Sequence, residues 1–138
     1  MRMTAVIDRM KRLLPCLLFS IFLVGCKPSY QDWKQDWDKI FEGYLTGDAP
    51  TAKAALLQEE KLLAEYQAHG NREVDYVEVR TFLYTKLCGV CDYLGQTNDA
   101  VKYFTKYSEV SPINDKTYDE LVALAKNSDK QYHLKWRN

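Results

Sequence analysis

Cysteines are the most reactive side chains of this sequence, and Cys88 and Cys91 form a Cys-x-x-Cys pair. Such a pair can bind a metal with further ligands, form a disulfide or carry out thiol–disulfide exchange. A thioredoxin-like site needs a helix start after a strand, where the helix dipole lowers the thiol pKa. The pattern here instead predicts a mid-helix position, where a disulfide would be strained. We interpret the pair as packing residues, with a structural or regulatory disulfide and redox catalysis as alternatives.

The other residues that could bind a metal or catalyse a reaction form no recognisable cluster. His69 and His133 are far apart in the sequence, and no second cysteine pair completes a tetrahedral zinc site. No Ser, His and acid combination follows from the spacing. We predict no metal site, no cofactor and no catalytic residue, and therefore a protein that is not an enzyme.

A further cysteine ends an apolar run over residues 13–24 and belongs to the tetrapeptide Leu23-Val24-Gly25-Cys26. The run follows a basic N-terminus, contains Pro15 and is too short to span a bilayer comfortably, as in a signal peptide. The tetrapeptide resembles the lipobox of bacterial lipoproteins. The resemblance implies that the Cys26 thiol receives a diacylglyceryl group, that residues 1–25 are removed and that the new amino terminus is acylated. The alternative is an apolar anchor helix that is never cut.

The lipid that this resemblance implies would also determine where the protein resides. Two or three acyl chains hold a protein firmly on a membrane, because each buried methylene contributes about 0.8 kcal/mol. Lys27 follows the cysteine, and in the enteric lipoprotein pattern a non-acidic residue here favours export to the outer membrane. We expect a lipid-anchored protein of the cell envelope, in the outer membrane and facing the periplasm, with covalent lipid on Cys26.

The charge of the remaining chain excludes one class of partner. Residues 1–25 hold four basic residues and one acidic residue, so their removal leaves 113 residues with 15 Lys and Arg against 18 Asp and Glu. A chain of this size forms one small domain. It lacks the basic field that binds nucleic acid by counterion release. We therefore expect no nucleic-acid partner.

Apolar residues recur at spacings of three and four after the tether, which indicates helices rather than strands. We predict an all-α fold of about five helices in antiparallel hairpins. The expected layout is a removed signal peptide over 1–25, a lipidated tether over 26–29, a helical domain over 30–126 and a polar C-terminal tail over 127–138. The predicted helices run from Tyr30 to Thr46, from a cap at Asp48 to about Gln67, from a charged connection over 73–80 to Gly95, from a cap at Thr97 or Asn98 to before Pro112, and onward from a capping box over 117–120.

The first predicted helix carries a row of aromatic residues. Such a row is more often a hydrophobic core than a ligand box. Because the tether is short, the alternative is that it faces lipid headgroups, where Trp and Tyr are favoured. The row comprises Tyr30, Trp33, Trp37, Phe41 and Tyr44.

Residues 81–114 resemble a tetratricopeptide repeat, a 34-residue helix pair that stacks on its neighbours. The matching residues are Tyr84, Leu87, Cys88, Leu94, Gly95, Ala100, Phe104 and Pro112. Cys91 and Tyr107 depart from the pattern, whereas Tyr118 and Leu121 continue its register into the fifth helix. The expected architecture is a tetratricopeptide-like stack, or else a generic helical bundle.

The two resemblances together imply a membrane-anchored scaffold or assembly factor that binds another protein of the cell envelope. Stacked helix pairs present a concave face, which inward residues of the third and fifth helices would line. The alternatives are a thiol-dependent redox or sensor lipoprotein that uses Cys88 and Cys91, and an immunity or exclusion lipoprotein. The candidate protein-binding residues are Tyr84, Lys86, Asp92, Tyr118 and Lys126.

Overall fold

A computed structural model describes residues 27–113 and 115–137, with only the backbone of Lys135. The predicted signal peptide and Cys26 lie outside the described residues. Within the described ranges the fold is all-α, with five helices and no strand, as the sequence predicted. The helices are α1 (Tyr30–Thr46), α2 (Ala49–Ala68), α3 (Tyr76–Tyr93), α4 (Thr97–Val110) and α5 (Tyr118–Asp129), followed by two 3-10 turns, Lys130–Tyr132 and Lys135–Arg137.

Local capping chemistry determines where most of the helices begin. Ser29 and Asp32 form a capping box at α1, and the predicted box of Thr117 and Glu120 is present at α5. The Asp48 side chain accepts from an amide at the start of α2, and Pro50 stands in the first turn, where its missing N–H has no cost. These short-range signals explain why several boundaries could be predicted.

Helix α3 is the centre of the domain. It packs against α2, α4 and α5, and every residue from Leu83 to Cys91 is buried. A helix that is enclosed on all sides is the core of its fold. Helix α1 packs on α2 and also contacts α3, where the rings of Phe41 and Phe82 lie 5.9 Å apart. Four residues of the predicted aromatic row belong to the core, with Trp33 and Tyr44 buried and Trp37 and Phe41 partly buried, whereas Tyr30 is 39% exposed.

The close approach of α3 and α5 depends on Gly89. A β-carbon built at this position would lie 2.5 Å from Cβ of Ala125 and 2.9 Å from a guanidinium nitrogen of Arg137. A β-carbon here would clash with the Ala125 methyl group, whereas the Arg137 guanidinium is the end of a flexible side chain and could shift. The two helices therefore pack with a backbone surface against a methyl group.

Two helix starts correct the sequence prediction. Helix α3 begins at Tyr76, so most of the predicted charged connection over 73–80 is helical. The reason is that Asp75 accepts from the amides of Val77 and Glu78 and starts the helix there. Helix α4 is preceded by Gln96, which makes no capping bond through its side chain, rather than capped by Thr97 or Asn98.

The C-terminal residues belong to the folded domain instead of forming a separate tail beyond residue 126. Helix α5 continues to Asp129, and the turns that follow bury Leu134 and Trp136. The Trp136 ring meets the ring of Tyr44 edge-on at 6.3 Å. The polar composition after residue 126 hides this packing, because two of its charged residues, Asp129 and Arg137, form an ion pair inside the domain.

Among the described residues, no helix combines the length and the apolar character that a membrane crossing requires.

Helix α2 carries a buried acid in the core. Glu59 is fully enclosed, and neither carboxyl oxygen has a hydrogen-bond partner within the described structure. Burial raises the pKa of Glu59 to about 9, from an ordinary value of 4.5. Glu59 is therefore protonated and neutral at pH 7.

We predict that Glu59 makes the fold less stable as the pH rises. The unfolded chain loses the Glu59 proton above pH 4.5 and the folded chain keeps it until about pH 9, so stability falls across this window and levels off above it. At pH 7 the cost is roughly 3 kcal/mol. Glu59→Gln should remove this slope in urea denaturation between pH 5 and 9, and Glu65→Gln on the exposed face of α2 should not. Equal slopes for the wild type and Glu59→Gln would contradict a neutral, buried carboxyl.

Candidate functional site

A groove with a volume of about 610 Å³ lies between α3 and α5. Its walls come from the first two and a half turns of α3, the second half of α5, the loop before α5 and the 3-10 turn after it. The lining residues are Asp75, Val77, Glu78, Thr81, Phe82, Thr85, Lys86, Pro112, Leu124, Ser128, Gln131 and Tyr132.

The walls of this α3–α5 groove are mainly apolar and partly open to solvent. Val77 is 48% exposed and Leu124 is 42% exposed on opposite walls. The threonine hydroxyls of the wall are already used: those of Thr81 and Thr85 donate to the carbonyls of Val77 and Thr81 at 2.7 and 2.8 Å. The groove therefore offers a partner an apolar surface between two helices.

The floor of the groove is a buried ion pair. The Lys86 ammonium donates to Oδ1 of Asp129 at 2.5 Å and to the Ser128 hydroxyl at 2.7 Å. The ring centres of Tyr132 and Phe82 lie 5.3 and 5.6 Å from Nζ, within cation–π range. Burial lowers the pKa of Lys86, while Asp129 opposes that shift. The cation is thus fully partnered inside the protein.

Asp129 also connects this floor to two other parts of the chain. Its Oδ1 accepts from the Tyr44 hydroxyl on α1, and its Oδ2 accepts from Nε of Arg137 at 2.7 Å. Burial and the Asp129 charge both raise the Tyr44 pKa well above its ordinary range, so the phenol stays protonated and donates. A carboxylate with three donors needs no solvent to be stable here.

The charge at the open end of the groove is negative. Asp75, the cap that precedes α3, and Glu78, in the first turn of α3, lie there, and both are exposed. Among the described residues of the lining, Lys86 is the one cation, and Asp129 neutralises it. A ligand that enters the groove therefore meets two carboxylates at this end.

Of the five residues proposed for protein binding, the structure places one in the groove and joins two others, Asp92 and Tyr118, elsewhere. Only Lys86 lines the groove, and it is buried beneath it. Tyr84 is buried on another side of α3, where its ring stacks on Tyr103 at 6.1 Å. Asp92 accepts from the Tyr118 hydroxyl at 2.8 Å, away from the groove. Lys126 is exposed on α5 and does not line the groove.

The groove residues of α3 were not predicted from the sequence, because the first of them were assigned to the connection over 73–80. Val77, Thr81 and Thr85 recur at a spacing of four, and Glu78, Phe82 and Lys86 repeat it one residue later. On a helix that starts at Tyr76, residues at this spacing lie on one face. The missing signal was the Asp75 cap.

The two predicted thiols, Cys88 and Cys91, are free and buried. Burial raises the pKa of Cys88 to about 12. Burial also raises the pKa of Cys91, although the Lys53 ammonium nearby acts in the opposite direction. A reactive thiol needs a lowered pKa and access to solvent, and this environment provides the reverse. In the described ranges no group of three or more His, Cys, Asp or Glu residues is arranged to hold a metal ion.

No protein-family model matches the chain, and no curated protein or solved structure shows significant similarity to it.

We predict that Asp129 is far more important for stability than an exposed carboxylate in an ion pair of the same length. Asp129→Asn leaves two buried cations without their counterion and should lower the free energy of unfolding by about 3–5 kcal/mol. The matched control is Asp38→Asn, because Asp38 also lies 2.5 Å from a lysine, Lys34, but both side chains are more than half exposed. That change should cost less than about 1 kcal/mol in urea denaturation. Similar losses in the two variants would contradict a buried network.

Proposed function

We propose that this protein is a lipoprotein of the bacterial cell envelope that binds another protein through the α3–α5 groove, as a scaffold or assembly factor. The resemblance of residues 23–26 to a lipobox supports the anchor, and Lys27 supports an outer-membrane location that faces the periplasm. The groove supports the protein-binding role and is the observation that carries it. Side chains such as Val77 and Leu124 are held open to solvent there, and such surfaces mark interaction sites.

The position of the groove fits the tetratricopeptide-like interpretation. In such stacks the first helices of successive repeats line the concave, partner-binding face. If residues 81–114 are one repeat, α3 and α5 are the first helices of two successive repeats. The groove between them then corresponds to that concave face.

The groove also lies at the end of the domain where the proposed anchor begins. The Pro28 carbonyl accepts from Nδ2 of Asn71 at 3.4 Å, so the tether meets the domain beside the connection between α2 and α3. Asp75, at the open end of the groove, follows four residues later. A lipid on Cys26 would hold this end near the membrane, where a partner from the same membrane can reach it.

The lipid anchor predicts a defined mass for the protein purified from its own membranes. The expected species comprises residues 26–138 with a diacylglyceryl group and an acyl chain, and its two remaining thiols react with an alkylating agent after denaturation without reduction. Cys26→Ala should keep residues 1–25 and carry no lipid. A wild-type mass that retains residues 1–25 would remove the anchor from the proposal. A mass two daltons lower that reduction restores would favour the redox alternative.

The protein-binding role predicts a site-specific covalent adduct in living cells. A photoreactive amino acid in place of Val77 should cross-link one discrete protein on irradiation. Val101 on α4 gives a matched control, because it is 47% exposed against 48% for Val77 and does not line the groove. No adduct at position 77, or the same adduct at both positions, would exclude the groove as the binding surface.

A further inference from the structure

We propose that the segment received by the α3–α5 groove is a basic amphipathic helix, which places apolar side chains between α3 and α5 and a Lys or Arg beside Glu78. This inference rests on the proposed function, since it specifies the partner of the same groove. Its main support is the negative charge at the open end of the groove, which a basic partner would complement.

The charge that the groove offers to a partner is negative. Lys86 is 2% exposed and is bonded to Asp129, so its ammonium cannot attract an acidic side chain. Arg80, the nearby cation on α3, donates to Gln67 on α2 and lies outside the lining. Asp75 and Glu78 are thus the exposed charges among the described lining residues, and both are negative.

The two carboxylates differ in their freedom to bind. Asp75 accepts from two backbone amides of α3 at 3.1 and 3.0 Å, so part of its hydrogen-bonding capacity is used. The Glu78 carboxylate accepts no hydrogen bond and forms no ion pair within the described structure, and Glu78 also borders the surface between α1 and α3. Glu78 is therefore the carboxylate that a partner's cation would contact.

The length of the α3 wall fits a partner helix. The α3 wall runs from Val77 to Lys86, which is about 14 Å or two and a half turns at 1.5 Å per residue. A partner helix of similar length presents anchors at i, i+3 or i+4, and i+7 along such a wall. Addition of a partner strand needs an exposed sheet edge, and the described ranges contain no strand.

The surface between the two helices suits apolar side chains of a partner. The wall hydroxyls of Thr81 and Thr85 are bonded to backbone carbonyls, so they do not require a polar partner. Val77 and Leu124 are the large apolar side chains of the described wall that are exposed to solvent. Branched apolar side chains on the partner would bury these surfaces, and a rim ion pair with Glu78 would determine its orientation.

A peptide selection tests this inference with a defined probe. A displayed library of random peptides of about 16 residues, long enough for four helical turns, is selected on the full-length lipidated protein in nanodiscs. We expect enriched peptides with apolar residues at spacings of three and four and with Lys or Arg on one flank. The best of these, as a synthetic fluorescent peptide, is then titrated against the wild type and the variants.

The variants form matched pairs. Val77→Ser should weaken binding about tenfold or more, and Val101→Ser, at an equally exposed valine outside the groove, less than about twofold. Glu78→Lys should weaken binding about three- to tenfold and remove most of its salt dependence. Glu109→Lys, at an exposed acid on α4, should do neither. Circular dichroism of each variant shows whether its helices are intact.

The outcomes separate this inference from the function on which it rests. Enriched peptides that depend on Val77 but carry acidic or no flanking charge, or that ignore Glu78→Lys, overturn the basic partner and leave protein binding in place. Enrichment that is unaffected by Val77→Ser overturns the groove as the peptide site. Whether a cellular protein occupies the groove is decided separately by the cross-link at position 77.

Discussion

The buried carboxylate of Asp129 joins three parts of the chain that are distant in the sequence. Tyr44 on α1, Lys86 on α3 and Arg137 near the C-terminus all donate to it. The position of α5 follows from this arrangement, because Asp129 is its last residue. The α3–α5 groove depends on the same carboxylate, since the Lys86 pair is its floor and the residues after Asp129 supply part of its rim.

Helix α3 belongs to both the core and the groove. Its central residues pack against α2, α4 and α5 and are buried without interruption. Its first turns extend beyond this core and supply the exposed wall of the groove, including Val77. The cation at Lys86 stands where the two regions meet, so an ion pair instead of an apolar contact closes the groove floor.

Local chemistry made much of the fold predictable, and contacts between distant residues account for what was not. The Thr117 and Glu120 capping box and the Asp48 cap could be identified because their partners lie within three residues. Nothing local indicates that Lys86 pairs with Asp129, 43 residues away. The C-terminal residues were predicted to be a polar tail for the same reason, because the residues on which they pack are distant in the sequence. The groove could be predicted only as a face between the third and fifth helices, because its residues depend on where α3 begins.

The contact at Gly89 has a consequence for how a partner would associate with the groove. Because a hydrogen atom of Gly89 faces the Ala125 methyl group, α3 and α5 are already in close contact at this point, where Gly89 has no side chain to rearrange. A rigid, preformed site loses little conformational entropy on binding. The rate of association would then be determined by how readily the incoming segment becomes helical, because α3 and α5 do not have to separate to admit it.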